Sequence, residues 1–380
     1  MKISGDWIDH PGTQALCAVL TDAGHQALFV GGCVRNALLG VAVADIDIAT
    51  DALPKNVTVL AEDAGFRVIP TGLDHGTVTV LAQGLAHEVT TFRRDVSTDG
   101  RHAAVAFTDD VAQDAARRDF TMNALYADRT GEVTDPLGGL PDLLARRVRF
   151  VGDAEARIRE DYLRILRFFR FHAVYGDPDG GLDAEGFAAC AAHVDGIASL
   201  SRERIGAEMR KLLAARDPAP AVSAMAQCGA LAAVLPGADP RALAPLVHLE
   251  DDLPPRWQRR LAALGGQNAD ENLRLARAEN VTVKQIRDAI GNAHSPAALG
   301  WVLGPDSAND TVLCRAAILE HPLPPHWQAD IARGAQAILP VAAADLMPGL
   351  QGAALGAALR SITARWLASD LMLTKAQLLA

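Results

Sequence analysis

The hydrophobic pattern of the chain changes near residue 140. Before that point, short apolar runs alternate with Gly, Asp and Thr, which is typical of a region that mixes strands and helices. After it, Ala, Leu and Arg recur at helical spacing almost to the end, with interruptions at Pro and Gly. We therefore expect an α/β N-terminal region followed by a mostly helical remainder. The strand candidates of the first region are residues 27–30, 45–49, 77–81 and 88–92.

Length and composition narrow the class of protein. The chain has 380 residues, which at roughly 150 residues per domain predicts two to three folding units. Hydrophobic residues make up 49% and charged residues 22%, so a disordered, collagen-like or coiled-coil chain is excluded. The net charge of −10 argues against general coating of nucleic acid, and any polyanionic partner must be met by a local basic patch.

Cysteine usage and hydropathy predict where the protein works. Its five cysteines are widely spaced, without a CxxC pair for zinc or a dense disulfide framework, which indicates reduced thiols. The N-terminus lacks the features of a signal peptide, and no stretch reaches about 18 uninterrupted apolar residues. We therefore expect a cytoplasmic protein without a membrane partner.

Two aspartates occupy alternate positions of the second strand candidate. Because side chains alternate along a strand, Asp45 and Asp47 face one side while Ile46 and Ile48 face the other. Two neighbouring carboxylates repel each other unless a cation lies between them, and Mg²⁺ bound to nucleotide phosphates favours such oxygen ligands. The same Asp-x-Asp pattern also fits a solvated strand edge or a glycosyltransferase.

A glycine turn precedes this strand. Gly31 and Gly32 follow the first strand candidate and open a helical segment over residues 34–39, which Gly40 closes. Free N–H groups at the start of a helix bind phosphate, and Arg35 would add a fork of donors to the same triphosphate. The alternative interpretation is a pair of glycines that serves only a tight turn.

A third carboxylate, Glu88, begins the fourth strand candidate. If this strand lies beside the aspartate strand, Glu88 completes a group of three carboxylates with Asp45 and Asp47. Two-metal phosphoryl transfer uses such a cluster to activate the attacking hydroxyl and to stabilise the leaving pyrophosphate. A charge on the exposed face of a strand is the simpler alternative.

The order of these motifs resembles that of a known family. The run GGCVRN at residues 31–36, followed by DID at residues 45–47, is similar to the first motif of bacterial class II tRNA nucleotidyltransferases and poly(A) polymerases, although Asn36 replaces the family's aspartate. The resemblance implies an α+β protein with a polymerase-beta-like nucleotidyltransferase head that contains a mixed sheet, followed by an all-α neck, body and tail. The implied bounds are 1–140 for the catalytic head, 141–215 for the nucleobase-recognising neck, and 216–380 for the tRNA-binding body and tail.

A second motif of the family, RRDFTMNAL, is matched at residues 117–125. In the family, the Arg and Asp of this motif lie near the sugar and phosphates of the incoming nucleotide, so the resemblance assigns Arg118, Asp119 and Asn123 to nucleotide binding. Arg118 can neutralise phosphate while Asp119 accepts a hydrogen bond from a ribose hydroxyl, which would favour ATP over dATP. A salt-bridged helix start would explain the same residues.

The run EDYLRILRFFRF at residues 160–171 resembles the nucleobase-recognition motif of the family. We predict a helix in which Asp161 and Arg164 lie side by side at positions i and i+3. A carboxylate beside a guanidinium pairs with cytosine or adenine, which both present an amino donor next to a ring-nitrogen acceptor, and rejects guanine and uracil. The resemblance adds Arg167 and Arg170 to the nucleotide pocket, with a solvated basic face as the alternative.

Two further segments favour CCA addition within the family. Residues 75–80 resemble the CCA-type strand, and residues 95–102 resemble the flexible loop that full CCA enzymes and A-adding enzymes use when they switch from C to A. The resemblance implies template-independent addition of C, C and A to the 3′ end of tRNA from CTP and ATP. It also implies a two-metal Mg²⁺ site with Asp45 and Asp47 as ligands and Glu88 assisting, contacts to the acceptor end and TΨC arm of tRNA, and no obligate protein partner.

Other activities fit the same motifs. A poly(A) polymerase or an enzyme that adds only the final A belongs to the same family, and a catalytically silent nucleotide- or RNA-binding module would keep the fold. All three carboxylates are present, which favours an enzyme. The acidic composition disfavours a polymerase that grips arbitrary RNA, because such binding depends on basic surface.

Overall fold

The structure is a computed structural model that describes residues 1–99 and 102–380, and the side chains of these residues except those at positions 74 and 95–105. The chain divides into two compact units, residues 1–200 and residues 201–380. The first unit contains all the strands of the described residues, and the second is helical. The finer division into head, neck, body and tail stays a prediction.

The strands of the first unit form a mixed sheet and a separate hairpin. Their bounds in the described residues are β1 Leu28–Val30, β2 Ile46–Thr50, β3 Arg67–Gly72, β4 Thr77–Ala82, β5 Leu85–Thr91, β6 Arg93–Asp99, β7 His102–Phe107, β8 Tyr126–Ala127 and β9 Val133–Thr134. The sheet has the order β3-β4-β5-β2-β1-β8-β9, while β6 and β7 pair only with each other. Strands β2 and β5 are parallel and the other neighbours are antiparallel, which confirms the predicted mixed sheet.

The first unit also contains α-helices between and after its strands. Their bounds are α1 Asp6–Asp9, α2 Pro11–Asp22, α3 Gly32–Leu38, α4 Pro54–Asp63, α5 Val111–Ala116, α6 Leu140–Leu144, α7 Ala154–Glu160, α8 Leu163–Tyr175 and α9 Ala184–Ala192. Helix α3 starts two residues before the predicted segment, because its first residue follows directly on the backbone of Gly31, which has a φ of 69°. A positive φ of this kind is accessible mainly to glycine.

The four predicted strands all form, with ends shifted by a few residues. The largest shift is in β5, which begins at Leu85 instead of Glu88. A two-residue turn at Gln83 and Gly84, with φ values of 48° and 85°, pairs Ala82 with Leu85 and so extends the strand backwards. Two positive φ values are the pattern of the tight hairpin turn that matches strand twist.

The predicted continuous helix over residues 160–171 is wrong, because the chain leaves helical geometry at Asp161. This residue has φ −156° and ψ 104°, so α7 ends before it and α8 starts after it. Its carboxylate accepts a hydrogen bond from the backbone N–H of Leu163 at 3.1 Å. A short polar side chain that bonds the backbone two residues on competes with the helix and interrupts it.

Aromatic packing fixes α8 within the first unit. The ring of Phe120 lies 4.9 Å from the rings of both Phe150 and Phe171, and Phe150 stacks on Phe168 at 5.5 Å. Phe120 and Phe168 are fully buried. Because rings at these separations bury large apolar areas, the cluster holds α8 against the segment that carries the second motif.

The second unit is built from helices, as the sequence pattern predicts. Their bounds are α10 Arg202–Leu213, α11 Ala219–Gln227, α12 Ala230–Val234, α13 Leu243–Glu250, α14 Trp257–Leu264, α15 Ala269–Asn272, α16 Arg277–Ile290, α17 Pro296–Leu319, α18 Trp327–Gln336, α19 Gly352–Ala368 and α20 Lys375–Leu379. Helix α17 is kinked at Gly304, directly before Pro305. Among the described residues, no helix has both the length and the apolar character needed to cross a bilayer.

Candidate active site

Three predicted carboxylates lie at one edge of the parallel strand pair. Asp47 of β2 and Glu88 of β5 are direct partners in the parallel register, so their side chains point to the same face of the sheet. Asp45 immediately precedes β2 and is exposed, while Ile46 and Ile48 are buried on the opposite face. The predicted alternation, with the aspartates on one face and the buried isoleucines on the other, is therefore confirmed, whereas binding at the aspartate face stays a prediction.

Asp47 is a half-buried carboxylate with two negatively charged neighbours, Glu88 and Asp45. Burial raises the pKa of Asp47 to about 6, and the neighbouring charges of Glu88 and Asp45 act in the same direction. The positive charges of Arg118 and Arg35 oppose this shift but do not cancel it. A bound divalent cation would remove the repulsion, so the donor set fits Mg²⁺.

The carboxylates do not by themselves form a complete metal cage. Within residues 1–99 and 102–380, no group of three or more His, Cys, Asp or Glu side chains is arranged to hold a metal ion. The predicted metal triad with Glu88 therefore stays a prediction. Mg²⁺ commonly takes only one or two protein carboxylates and completes its shell with phosphate oxygens and water, so Asp45 and Asp47 fit that requirement.

The glycine turn brings the second motif to this edge of the sheet. The N–H of Gly31 donates to the carbonyl of Leu125 at 3.1 Å. A Cβ atom added at Gly31 would lie 3.4 Å from Nη1 of Arg118 and 3.6 Å from the carbonyl oxygen of Asn123. The turn therefore passes close to Arg118, which the sequence assigned to the same site.

Arg118 is held rigidly by groups that the sequence analysis missed. Its Nη2 donates to Asp114 at 2.9 Å and its Nε donates to the Tyr126 hydroxyl at 3.1 Å. Burial alone would raise the pKa of Asp114, but the charges of Arg118 and Arg117 outweigh it and lower that pKa to about 2. The spacing of Asp114 from the two arginines, three and four residues along the chain, is the signal that could have revealed this anchor.

Arg35 is buried, with only 6% of its surface exposed, and donates to three protein groups. Its Nη1 donates to Asn123 at 2.5 Å, and its Nη2 donates to both Asn36 and the Tyr175 hydroxyl. The guanidinium also lies 4.0 Å from the centre of the Tyr175 ring. These contacts join α3 to α8, so the assignment of Arg35 as a direct triphosphate ligand remains a prediction.

Asp119 links the second motif to the predicted nucleotide pocket on α8. Its carboxylate accepts hydrogen bonds from Asn123 at 2.9 Å and from Nε of Arg167 at 2.8 Å. Burial tends to raise the pKa of Asp119, but the charge of Arg167 and the hydrogen bond from Asn123 lower it overall. The structure thus brings together three residues that the sequence placed in two separate motifs.

Arg164 pairs with a carboxylate that the sequence analysis did not select. Its Nη1 donates to Glu160 at 2.5 Å and to the carbonyl of Arg157 at 2.8 Å. Asp161 lies at the break between α7 and α8, so the two residues do not share one continuous helix, but the N–H of Arg164 donates to the carbonyl of Asp161 at 2.9 Å, and their role as a pair stays a prediction. The guanidinium of Arg170 lies 4.5 Å from the centre of the Phe171 ring.

The segment predicted as a flexible loop is largely a hairpin. Strands β6 and β7 pair in antiparallel register from Arg93 and Phe107 to Asp99 and His102, with an irregularity near Asp95. Residues 100 and 101, which belong to the predicted loop, lie outside the described residues. β-Branched residues such as Val96 and Thr98 favour the extended strand over the loop that the turn formers suggested.

Comparisons with known proteins match both the sheet unit and the segment after it. A family model described as the Poly A polymerase head domain matches residues 27–149. A second, described as the probable RNA and SrmB-binding site of polymerase A, matches residues 181–241.

Curated relatives carry the names of CCA-adding enzymes. The mitochondrial CCA tRNA nucleotidyltransferase 1 of Homo sapiens is 43% identical over 203 residues, which are 53% of this chain and 47% of that protein. The CCA-adding enzyme of Geobacillus thermodenitrificans (strain NG80-2) is 42% identical over 231 residues, which are 60% of this chain and 55% of that enzyme. The chain spans about half the length of these relatives.

A solved structure extends the likeness to almost the whole chain. The crystal structure of the Bacillus stearothermophilus CCA-adding enzyme in complex with CTP is 31% identical, with a TM-score of 0.74. The match covers 94% of this chain and 93% of that enzyme. With the carboxylates of β2 and β5, the glycine turn and the second motif in place, the chain belongs to the family of CCA-adding tRNA nucleotidyltransferases.

Proposed function

We propose that the protein adds C, C and A to the 3′ end of tRNA, using CTP and ATP. The observation that carries this proposal is the parallel pairing of β2 and β5, which sets Asp47 beside Glu88 on the face next to Asp45. The structure of a 31% identical CCA-adding enzyme with CTP supports the choice of nucleotide, and the name of the human relative supports tRNA as the acceptor.

The catalytic chemistry is assigned to the carboxylate edge. Asp45 and Asp47 would hold Mg²⁺, with Glu88 as the adjacent carboxylate. When bound, Mg²⁺ supplies positive charge to the triphosphate and lowers the pKa of the attacking hydroxyl. The protein's own contribution is to hold these oxygens at fixed positions on neighbouring strands, which reduces the reorganisation needed when the 3′ hydroxyl of tRNA reaches the α-phosphate.

The triphosphate and the sugar are assigned to the turn and the second motif. Gly31 and Gly32 let a phosphate approach the backbone closely, and Arg118 supplies a positive charge whose position is set by Asp114 and Tyr126. Asp119 would accept a hydrogen bond from the ribose, with Asn123 and Arg167 holding its carboxylate. Preorganised donors of this kind stabilise charge without moving at the moment of reaction.

Nucleobase selection is assigned to Asp161 and Arg164, with Arg167 and Arg170 on the same helix. In this structure Nη1 of Arg164 contacts Glu160, so a base that takes this donor has to displace that contact. We expect Arg164→Ala to relax discrimination between CTP and UTP more than it weakens triphosphate binding. Unchanged discrimination in that variant would contradict the assignment.

The hairpin β6–β7 is assigned to the switch from C to A addition. Deleting residues 98–101 should spare the addition of CC and abolish the final A. Equal loss of both additions would contradict this part of the proposal.

Incorporation of each labelled nucleoside triphosphate tests the function as a whole. The acceptors are tRNA that ends before CCA, tRNA that ends in CC, and an unstructured RNA, each with Mg²⁺ present. The proposal expects two C and one A on tRNA only. A added only to CC-ended tRNA would indicate an A-adding enzyme, long A tails on any RNA a poly(A) polymerase, and no incorporation a silent binding module. Asp45→Ala serves as the control that separates this activity from a contaminant.

The site of action is assigned to the cytoplasm, without an obligate protein partner. Four of the five cysteines are buried and none of the five forms a disulfide bond, which agrees with a reducing compartment. Cell fractionation with an antibody to the native protein tests the location, and full activity of the purified chain tests the absence of a partner.

A further inference from the structure

The segment that joins α3 to β2 delivers Asp45 to the sheet. Helix α3 closes with Gly40 at a φ of 66°. The N–H of Gly40 donates to Ala37 at 3.2 Å, and the N–H of Val41 donates to the carbonyl of Asn36 at 2.8 Å. These two bonds form the common helix ending that satisfies the last carbonyls and turns the chain away. Residues 42–45 then run without regular structure to β2.

The side chain of Asn36 makes two kinds of hydrogen bond at this ending. Its Oδ1 accepts from Nε of Arg35 at 3.1 Å and from Nη2 of Arg35 at 2.9 Å. Its Nδ2 donates to the carbonyl of Ala42 at 3.0 Å. The Arg35 guanidinium can only donate and the Ala42 carbonyl can only accept, so both partners require the same orientation of the Asn36 amide.

An aspartate at this position could satisfy only one of these partners. Its carboxylate would accept from Arg35, but its second oxygen would face the Ala42 carbonyl, and two acceptors at about 3 Å repel each other. Where the family motif has an aspartate, which only accepts hydrogen bonds, this chain has Asn36, which both accepts and donates them.

We propose that Asn36 is a positioning residue that tethers the 42–45 segment to α3 and thereby sets where Asp45 enters the metal-binding edge of the sheet. The statement about Asp45 rests on the proposed function, whereas the tether itself does not. Asn36 also accepts from Arg35, a predicted triphosphate ligand, but none of its contacts described above is with Asp47 or Glu88, so its effect on the carboxylate edge passes through the backbone of the 42–45 segment.

Hydrogen exchange of the purified full chain tests the tether. In Asn36→Asp, which keeps an acceptor for Arg35 and removes the donor to Ala42, we expect the hydrogen-bonded amides of Gly40 and Val41, next to the tethered residue, to exchange about 3- to 10-fold faster, the range that corresponds to one lost hydrogen bond. Asn36→Ala should show a similar increase. Asn272→Asp is the matched control, because its Nδ2 also donates to a backbone carbonyl, that of Gln267, in the other unit. Wild-type exchange of the Gly40 and Val41 amides in Asn36→Asp would overturn the proposal.

Binding of Mn²⁺, measured by electron paramagnetic resonance, tests the consequence for Asp45. Asn36→Ala adds no charge, so we expect its Mn²⁺ affinity to fall about 3- to 10-fold, while Asn272→Ala keeps the wild-type value. Unchanged affinity in Asn36→Ala, or a wild-type protein that binds no Mn²⁺, would overturn the statement about Asp45. Neither readout requires tRNA or turnover. A protein that adds no nucleotide but shows both effects would therefore refute the proposed function and leave the tether intact.

Discussion

Asp47 and Asp114 lie in the same unit and both interact electrostatically with Arg118, but the pKa of Asp47 is raised and the pKa of Asp114 is lowered. Burial and the neighbouring charge of Glu88 raise the pKa of Asp47 to about 6, although Arg118 opposes the shift. Burial also acts to raise the pKa of Asp114, but Arg118 and Arg117 lower it to about 2. The difference lies in contact, because Arg118 donates a hydrogen bond to Asp114 at 2.9 Å.

This contrast distinguishes an anchor, Asp114, from the proposed metal-binding group, Asp47. Asp114 receives donors from two guanidinium groups and the Tyr126 hydroxyl, so its charge is satisfied within the protein. Asp47 keeps neighbours of its own sign, so its charge is satisfied best by a cation from outside. Arg118 interacts with both aspartates: Asp114 holds its guanidinium in place, and the charge of that guanidinium acts to lower the pKa of Asp47 at the carboxylate edge.

Replacing Asp47, the proposed metal-binding carboxylate, should have the largest effect. We expect Asp47→Asn to reduce the rate of nucleotide incorporation by about 10³-fold or more, since several kcal/mol of charge stabilisation would be lost. The thermal midpoint should stay within a few degrees of wild type, because the substitution removes repulsion from Glu88. Glu62→Gln on α4 is the control for loss of one exposed carboxylate. Activity within tenfold of wild type in Asp47→Asn would place the catalytic edge elsewhere.

Replacing the anchor should instead reduce stability. Asp114→Asn leaves Arg117 and Arg118 without their carboxylate, so we expect the free energy of unfolding to fall by about 2–4 kcal/mol. Urea unfolding measures this change. Asp239→Asn, which breaks an exposed pair with Arg241, should cause no measurable change. If both substitutions had the same effect, the contrast between anchor and binding group would fail.

The pH dependence of stability isolates the charge of Asp114. Its pKa is about 2 in the folded protein, against a reference value of 3.8. A lowered folded pKa stabilises the protein above the unfolded pKa, and this contribution is lost as the pH falls through the folded pKa. We expect the difference in unfolding free energy between wild type and Asp114→Asn to shrink by about 2 kcal/mol between about pH 5 and pH 2. A difference that stays constant over this range would show that the loss in the variant is not electrostatic.

Local patterns in the sequence predicted the carboxylate edge well. Alternation along one strand was enough to separate Asp45 and Asp47 from the buried Ile46 and Ile48. The expectation that Glu88 lies beside this strand is confirmed by the parallel pairing of β2 and β5. These features depend on the two-residue period of a strand, which a sequence displays directly.

Features that depend on long-range contacts were missed. No local pattern in the sequence marks Tyr175 as part of the site. Its hydroxyl nevertheless accepts a hydrogen bond from Arg35, which is 140 positions away in the chain. Asp161 was placed inside a helix because its neighbours have helical spacing, but its side chain bonds the backbone and breaks that helix. The helical spacing of apolar residues indicates which face of a helix is packed. It does not indicate whether a polar side chain competes for the backbone hydrogen bonds.

A third aspartate, in the second unit, shows that nearby arginines are not sufficient to make an anchor. Asp310 is fully buried and lies 3.2 Å from Nη1 of Arg259 and 3.1 Å from Nε of Arg256. Burial nevertheless raises the pKa of Asp310 to about 6, with both arginines opposing the shift. Among the described residues, its Oδ2 has no hydrogen-bond partner with favourable geometry. Geometry as well as charge therefore decides whether burial or pairing dominates.

Replacing Asp310 should have the smallest effect and tests this interpretation. A raised folded pKa stabilises the protein below the unfolded pKa, near the reference value of 3.8, and this contribution is lost as the pH rises through about 6. Asn imitates the protonated carboxyl, and Arg259 keeps its contact with Glu250 at 2.7 Å. We therefore expect Asp310→Asn at about pH 7.5 to be as stable as wild type or up to about 2 kcal/mol more stable, with the advantage disappearing near pH 4. Urea unfolding at both pH values measures this. A loss at pH 7.5 as large as that of Asp114→Asn would mean that the arginines around Asp310 outweigh its burial, and that the two aspartates are anchors of the same kind.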